Sequence, residues 1–192
     1  MNKTRLEAFS DGVVAILITI MVLELRAPVG ASLAALGPVV PTFCAYVLSF
    51  VVLGIYWNNH HHMLHAATRI NGAVLWANLH LLFWLSLVPF VTNWMGDNPT
   101  GALPTAVYGV VLILAACAYT ILQTTIIRAE GPHSRLASMV RSDVKGKLSI
   151  ALYAFAIAFA FVSHWIAQGL YAAVAIMWFV PDRRIERQLT HV

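Results

Sequence analysis

The sequence predicts an all-α membrane protein that crosses the bilayer six times. Three observations predict it. Charged residues make up only 10% of the chain and hydrophobic ones 60%, with a mean hydropathy of +0.76. Ordinary soluble domains carry about 25% charged residues. The apolar residues gather into runs of spanning length. The basic residues fall almost wholly on one side of the implied bilayer. All 192 residues then form one six-span unit, with spans at about 6–25, 36–60, 71–94, 105–127, 148–166 and 169–180.

The first span runs on from Arg5-Leu6-Glu7-Ala8-Phe9-Ser10-Asp11-Gly12 to Leu25. Lys3 and Arg5 ahead of an apolar run mimic a signal peptide. Asp11 inside that run, and its full spanning length, indicate a retained helix. Wound at 100° per residue, Gly12, Thr19, Ile20 and Leu23 fall within about 60° of Ile16. Glu7, Ser10, Asp11 and Leu17 fall on another face, at least about 100° away. The helix thus has a polar surface near its N-terminus and an apolar stripe along its length.

The second span covers the apolar run Leu36 to Trp57, with a polar extension to His65. The third runs from Asn71 to Trp94 and the fourth from Thr105 to Ile127. The block Leu148 to Val180 is too long for one crossing: a single helix would reach about 50 Å against a core of about 30 Å. Gln168-Gly169 offers the turn that divides it.

With the N-terminus inside, the inner segments hold Lys3, Arg5, Arg69, Arg128, Arg135, Arg141, Lys145, Lys147, Arg183, Arg184 and Arg187. The outer segments hold only Arg26. Both termini are then cytoplasmic. Basic residues at both ends of the last block require two crossings there. The outer loops Ala27–Ala35 and Gly96–Pro104 are rich in Gly and Pro, as short connections are. The basic stretch Arg128–Lys147 is expected along the anionic lipid surface. The net charge of +4 is therefore a topology signal, and nucleic acid is not an expected partner. No second copy of Phe9-Ser10-Asp11 occurs, so an internal repeat is not supported. Cys44 and Cys117 lie in apolar runs as small hydrophobes, with no disulfide or zinc spacing.

Polar groups in hydrocarbon each need a partner or a role. Ser10 and Asp11 open the first span, Trp57, Asn58 and His61 close the second, and Asn71 and Asn78 begin the third. These ends share one leaflet. A hydrogen-bonded cluster in which indole and amide donors satisfy the Asp11 carboxylate is the natural solution. It reads as a clasp for the first helix or, alternatively, as a proton relay or ion site. His61 and His65 are spaced i, i+4, which suits a metal. No HExxH glutamate accompanies them, so capping at the membrane–water boundary is preferred and no metal site is assigned. His80, near Trp76 and Trp84, reads as a hydrogen-bonded core histidine. His164, between Ser163 and Trp165, reads as an interfacial anchor.

No nucleophile elbow, Walker loop or dinucleotide fingerprint is present, and no catalytic residue is assigned. A span of regularly spaced arginines and a TVGYG filter are also absent. Taken alone, the Ile16, Ile20 and Leu23 stripe is ordinary lipid-facing or core surface. One helix encloses no pore, so pore lining requires several chains around an axis.

Arg5-x-x-x-Phe9-Ser10-Asp11 followed by Gly12-Val13-Val14-Ala15-Ile16-Leu17-Ile18-Thr19-Ile20-Met21-Val22-Leu23 resembles the signature of the transmembrane protein 175 family. These are the lysosomal potassium channels of animals and their shorter prokaryotic relatives. Tyr56-Trp57-x-x-His60-His61, Asn78 and Leu87-Val88-Pro89-Phe90-x-Thr92 support the resemblance. It covers most of the chain, and the length matches the prokaryotic form with one unit per chain. The resemblance implies a homotetramer whose first helices line a central pore, and potassium selectivity without a carbonyl filter. It implies that Ile16, Ile20 and Leu23 form a hydrophobic constriction, with Thr19 as a layer tied to selectivity. Arg5, Phe9, Ser10 and Asp11 match the signature that holds the pore helix in place.

The expectation is a potassium-permeable channel in a bacterial-type cell membrane. Its partners are its own copies, lipid and permeant potassium, with no cofactor. Two rivals are a proton-coupled carrier or proton leak using Asp11, His61 and His80, and a metalloenzyme on the His60–His65 run.

Overall fold

Helices account for most of the described residues in the computed structural model, which describes residues 2–132, 134, 136–137 and 144–179. α1 spans Lys3–Leu23. Asn2 caps it, its side-chain oxygen accepting from the Thr4 N–H at 3.3 Å and so satisfying one orphan donor of the first turn. A 3-10 segment over Leu33–Val39 leads into α2, Val40–Ala66. α3 (Gly72–Ser86) is capped by Asn71, which accepts from the Val74 N–H at 3.0 Å. α4 (Val88–Asp97), α5 (Ala102–Glu130), α6 (Val144–Phe159) and α7 (His164–Phe179) complete the order.

The all-α, membrane-spanning class stands. Four segments are long and apolar enough to cross a bilayer by themselves: Lys3–Leu23, Leu33–Ala66, Gly72–Asp97 and Ala102–Glu130. Two expectations need correction. The third span is one crossing but two helices, broken at Leu87. Pro89 is the cause: it has no N–H to donate, and its ring displaces the carbonyl four residues earlier. The last block does divide, but at residues 160–163 rather than at Gln168-Gly169. The Val162 and Ser163 N–H groups both turn back to Phe159 O, at 2.9 and 2.7 Å. Gly169 stays within α7, where a glycine costs only about 1 kcal/mol. Gln168 is occupied elsewhere, its Nε2 donating to Pro99 O at 3.0 Å. Val180 of the expected sixth span lies outside the described residues. So do Arg135, Arg141, Arg183, Arg184 and Arg187, and with them much of the expected basic inner surface.

α1 packs on α2, α3 and α4. Behind these lie α5 and α7, and α6 packs on α5 and α7 at the far side. Gly131, at φ 101°, ends α5 and donates its N–H to Ile127 O at 2.8 Å, a conformation favouring glycine. The Glu130 carboxylate accepts from the backbone N–H of Thr68 and, at 3.3 Å, of Arg69, fastening the α2–α3 loop to α5. Tyr108 and Tyr171 are the largest fully buried side chains. The Tyr171 hydroxyl donates to Thr105 O at 2.9 Å, directly against Gly109.

That contact sets a prediction. A Cβ at Gly109 would collide with Tyr171 Oη and stand 2.8 Å from Ile157 Cγ1. Gly109→Ala should therefore lose about 1–3 kcal/mol of stability through overpacking, read as a lower thermal midpoint in detergent. Gly54→Ala, whose Cβ meets nothing within 4 Å, should hold or raise that midpoint. Equal midpoints for the two variants would refute the close α5–α7 approach.

Candidate pore-lining face and its anchor

α1 has one covered face and one bare face. Leu6, Ser10, Val14, Leu17 and Met21 are buried, a stripe of period three to four that meets the bundle. On the opposite face Ile16 is 57% exposed, Ile20 40% and Leu23 80%. Thr19 and Gly12 are exposed on the same face. The Thr19 hydroxyl donates to Ile16 O at 2.9 Å. Its hydrogen is thus directed into the helix, and its lone pairs remain toward the bare face.

The covered face is held by a directional chain of hydrogen bonds across three helices. The Ser10 hydroxyl donates to Leu6 O at 2.9 Å. Asn78 Nδ2 on α3 donates to Ser10 Oγ at 3.0 Å. This leaves Asn78 Oδ1 as the acceptor for His60 Nε2 on α2, at 2.7 Å. His60 must then carry its hydrogen on Nε2. Ser10 and Asn78 are wholly buried and His60 is 5% exposed. A second tie runs along the flank, where the Trp57 indole N–H donates to Asp11 Oδ1 at 2.9 Å.

The structure sorts the expected residues. Ser10, Asp11, Trp57 and Asn78 sit in the anchor. Arg5 and Phe9 do not: both are exposed, in the same angular sector as Ile16. Asn58 and His61 also lie outside the cluster, both exposed on α2. The buried histidine is His60, one residue earlier. A signal for it existed in the sequence. The register of Ala45, Val52, Leu53, Met63 and Leu64, apolar in the sequence and buried on α2, includes 60 and excludes 61. Asn71 caps α3 rather than joining the cluster.

The remaining histidines are scattered. His61 stacks on His65, ring centroids 6.1 Å apart. Among the described residues no group of three or more His, Cys, Asp and Glu side chains converges as a metal site. His80 accepts the Trp84 indole N–H at 2.9 Å but is exposed on α3, hydrogen-bonded as expected yet not in the core. His164 opens α7 against Trp165, with ring centroids 4.9 Å apart. Asp11 and His61 both neighbour Trp57. His80 belongs to the far side of α3, so the protomer does not assemble the Asp11, His61 and His80 route.

A family model described as "Endosomal/lysosomal potassium channel TMEM175" matches residues 5–89, the stretch holding both the bare stripe and the anchor. "Potassium channel HX13_20290" of Chryseobacterium sp. (strain P1-3) is 53% identical over 98% of this chain and 98% of its own. The chain belongs to the TMEM175 family. The crystal structure of "a lysosomal potassium-selective channel TMEM175 homolog" from Chamaesiphon minutus superposes with a TM-score of 0.78 at 27% identity. It covers 93% of this chain and 96% of that one. A more distant TMEM175 relative, "Endosomal/lysosomal proton channel TMEM175" of Bos taurus, is 29% identical over 83% of this chain and 38% of its own.

The anchor makes a testable distinction. Asn78→Leu should leave His60 and Ser10 without their shared partner and cost about 1–3 kcal/mol for each buried group stranded. The readout is a lower thermal midpoint of the purified protein. His61→Ala, one residue from the anchor, should leave the midpoint where it was. A His61 effect as large as that of Asn78 would overturn the assignment.

Proposed function

We propose that this TMEM175 protein is a potassium channel built as a homotetramer, with the bare face of α1 from each copy turned toward a central axis. The observation that carries the reading is that face itself. α1 is pinned on one side by hydrogen bonds, the Asn78–Ser10 one buried, and left uncovered on the other, along Ile16, Thr19, Ile20 and Leu23. The names of the bacterial relative and the Chamaesiphon minutus homolog support potassium as the permeant ion.

In this reading, copies of α1 stack rings of Ile16, Ile20 and Leu23 along the axis. Rings of that kind gate by dewetting: when narrow, they hold no water column for a cation to cross. Opening requires the α1 helices to separate or rotate. Thr19 adds a layer of oxygen lone pairs beside the narrowest rings, the only hydroxyl on the bare face. Arg5 lies at the inner mouth, where its long side chain extends into water. A closed rotational ring is the assembly that brings one face of identical chains to a common axis. The charge distribution supports a cell-membrane orientation with both termini cytoplasmic.

The test is potassium flux into liposomes carrying purified tetramer. Ile16→Asn wets the constriction and should raise flux several-fold or relax the preference for potassium over sodium. Planar-bilayer recording of the wild type under opposed potassium and sodium gradients should show single-channel steps. Flux identical to wild type from folded Ile16→Asn tetramer would remove Ile16 from the pore. The animal relative named a proton channel gives protons a claim on the same pore. Flux that saturates at carrier rates and follows a pH gradient alone would favour a proton carrier instead.

A further inference from the structure

One pair of polar residues is left facing outward at membrane depth. Inside the protomer, His60 and Asn78 face each other across 2.7 Å. Each lies six residues from the α2–α3 loop, counting from Ala66 and Gly72. Asn58 and His80 lie two residues further in, about 3 Å deeper in the bilayer than that bonded pair. Each is also about 200° around its own helix from His60 or Asn78. Since His60 and Asn78 point toward each other, Asn58 and His80 point away from each other. They occupy opposite flanks of one protomer at one depth.

Both are exposed. Asn58 has no side-chain hydrogen bond among the described residues. His80 Nε2 accepts the Trp84 indole N–H, so the neutral ring carries its hydrogen on Nδ1. That hydrogen has no acceptor among the described residues. Counted from the helix ends, both groups sit about 12 Å in, within hydrocarbon, where a bare amide or imidazole N–H is costly. The surroundings differ between the flanks: Trp76 and Phe83 stand bare one turn either side of His80, while Asn58 stands between exposed Trp57 and, one turn toward the loop, the exposed His61 and His62.

We infer that in the tetramer His80 Nδ1–H of one copy donates to the Asn58 side-chain oxygen of the next, forming the polar rung of the subunit interface. This rests on the tetrameric reading above. Rotation about an axis normal to the membrane keeps depth unchanged and brings one flank of a protomer against the opposite flank of its neighbour. Asn58 and His80 are then at the same level with complementary groups, an acceptor facing a donor. The second copy is the occupant that the pairing itself requires.

Cysteine cross-linking tests it. In a Cys44→Ala, Cys117→Ala background, Asn58→Cys and His80→Cys are introduced singly and together, and membranes are oxidised or treated with a short bismaleimide. The double variant should yield a ladder of dimer, trimer and tetramer, and neither single variant should. Should the double variant fail to assemble, the two single variants are co-expressed with different tags, and cross-links should join only unlike chains. Tetramer by size-exclusion with no ladder, or dimers from His80→Cys alone, would overturn the contact and leave the channel reading intact. Wild-type protein that is monomeric in the same detergent would overturn the tetramer, and the contact with it.

Discussion

Asn78 uses both ends of one amide. It donates to Ser10 on α1 and accepts from His60 on α2, and so fixes three helices against each other with a single side chain. In hydrocarbon no water replaces a hydrogen bond lost by movement. Rotating α1 therefore costs the Ser10–Asn78 bond. Ser10 lies about 120° around the helix from Ile16. Turning Ser10 away from Asn78 would at the same time turn the Ile16 stripe toward the bundle. The anchor and the bare face are one constraint seen from two sides. The Trp57–Asp11 bond adds a second point of attachment on the flank.

A separate polar layer holds the other half of the bundle. Ser49 Oγ on α2 lies 3.0 Å from Tyr108 Oη on α5 and 2.6 Å from Thr92 Oγ1 on α4. Thr92 reaches this layer because the helix breaks before Pro89 and restarts as α4, which packs on α2. α2 is thus tied near its C-terminal end by His60 and nearer its N-terminal end by Ser49. Close contact at Gly96, where a Cβ would stand 2.7 Å from Thr42 Cα, adds tight packing to the same region. A channel needs such a division: a scaffold cross-tied by buried hydrogen bonds, and one helix face left without a partner in the chain.

Much of this was legible from residue order. Long apolar runs, the sidedness of Lys and Arg and the Arg5 to Leu23 signature lead to the class and the family, since each depends on composition or on local spacing. The division of residues around α1 was also legible, as a helical wheel needs only the 3.6-residue period. Breaks were harder. The dipeptide Gln168-Gly169 looks like a turn, but a helix tolerates one glycine, and Gln168 had a distant acceptor at Pro99 to reach. Choosing His61 over His60 was a matter of one residue. It depended on which face of α2 meets α3, and neighbouring positions on a helix differ by 100°.

The sequence by itself determined that the chain is a helical membrane protein and that its first helix has an apolar face and a polar one. These follow from hydropathy, charge and helical period, which are properties of a segment alone. Only the tertiary structure decided which polar groups meet. Asn78 and Ser10 are 68 positions apart and Trp57 and Asp11 are 46. Pairing over such separations depends on how the α3 break and the short α2–α3 loop set the helices side by side. The same packing decided that Arg5, Phe9, Asn58 and His80 remain uncovered, because burial belongs to neighbours in space and not to the residue that is buried.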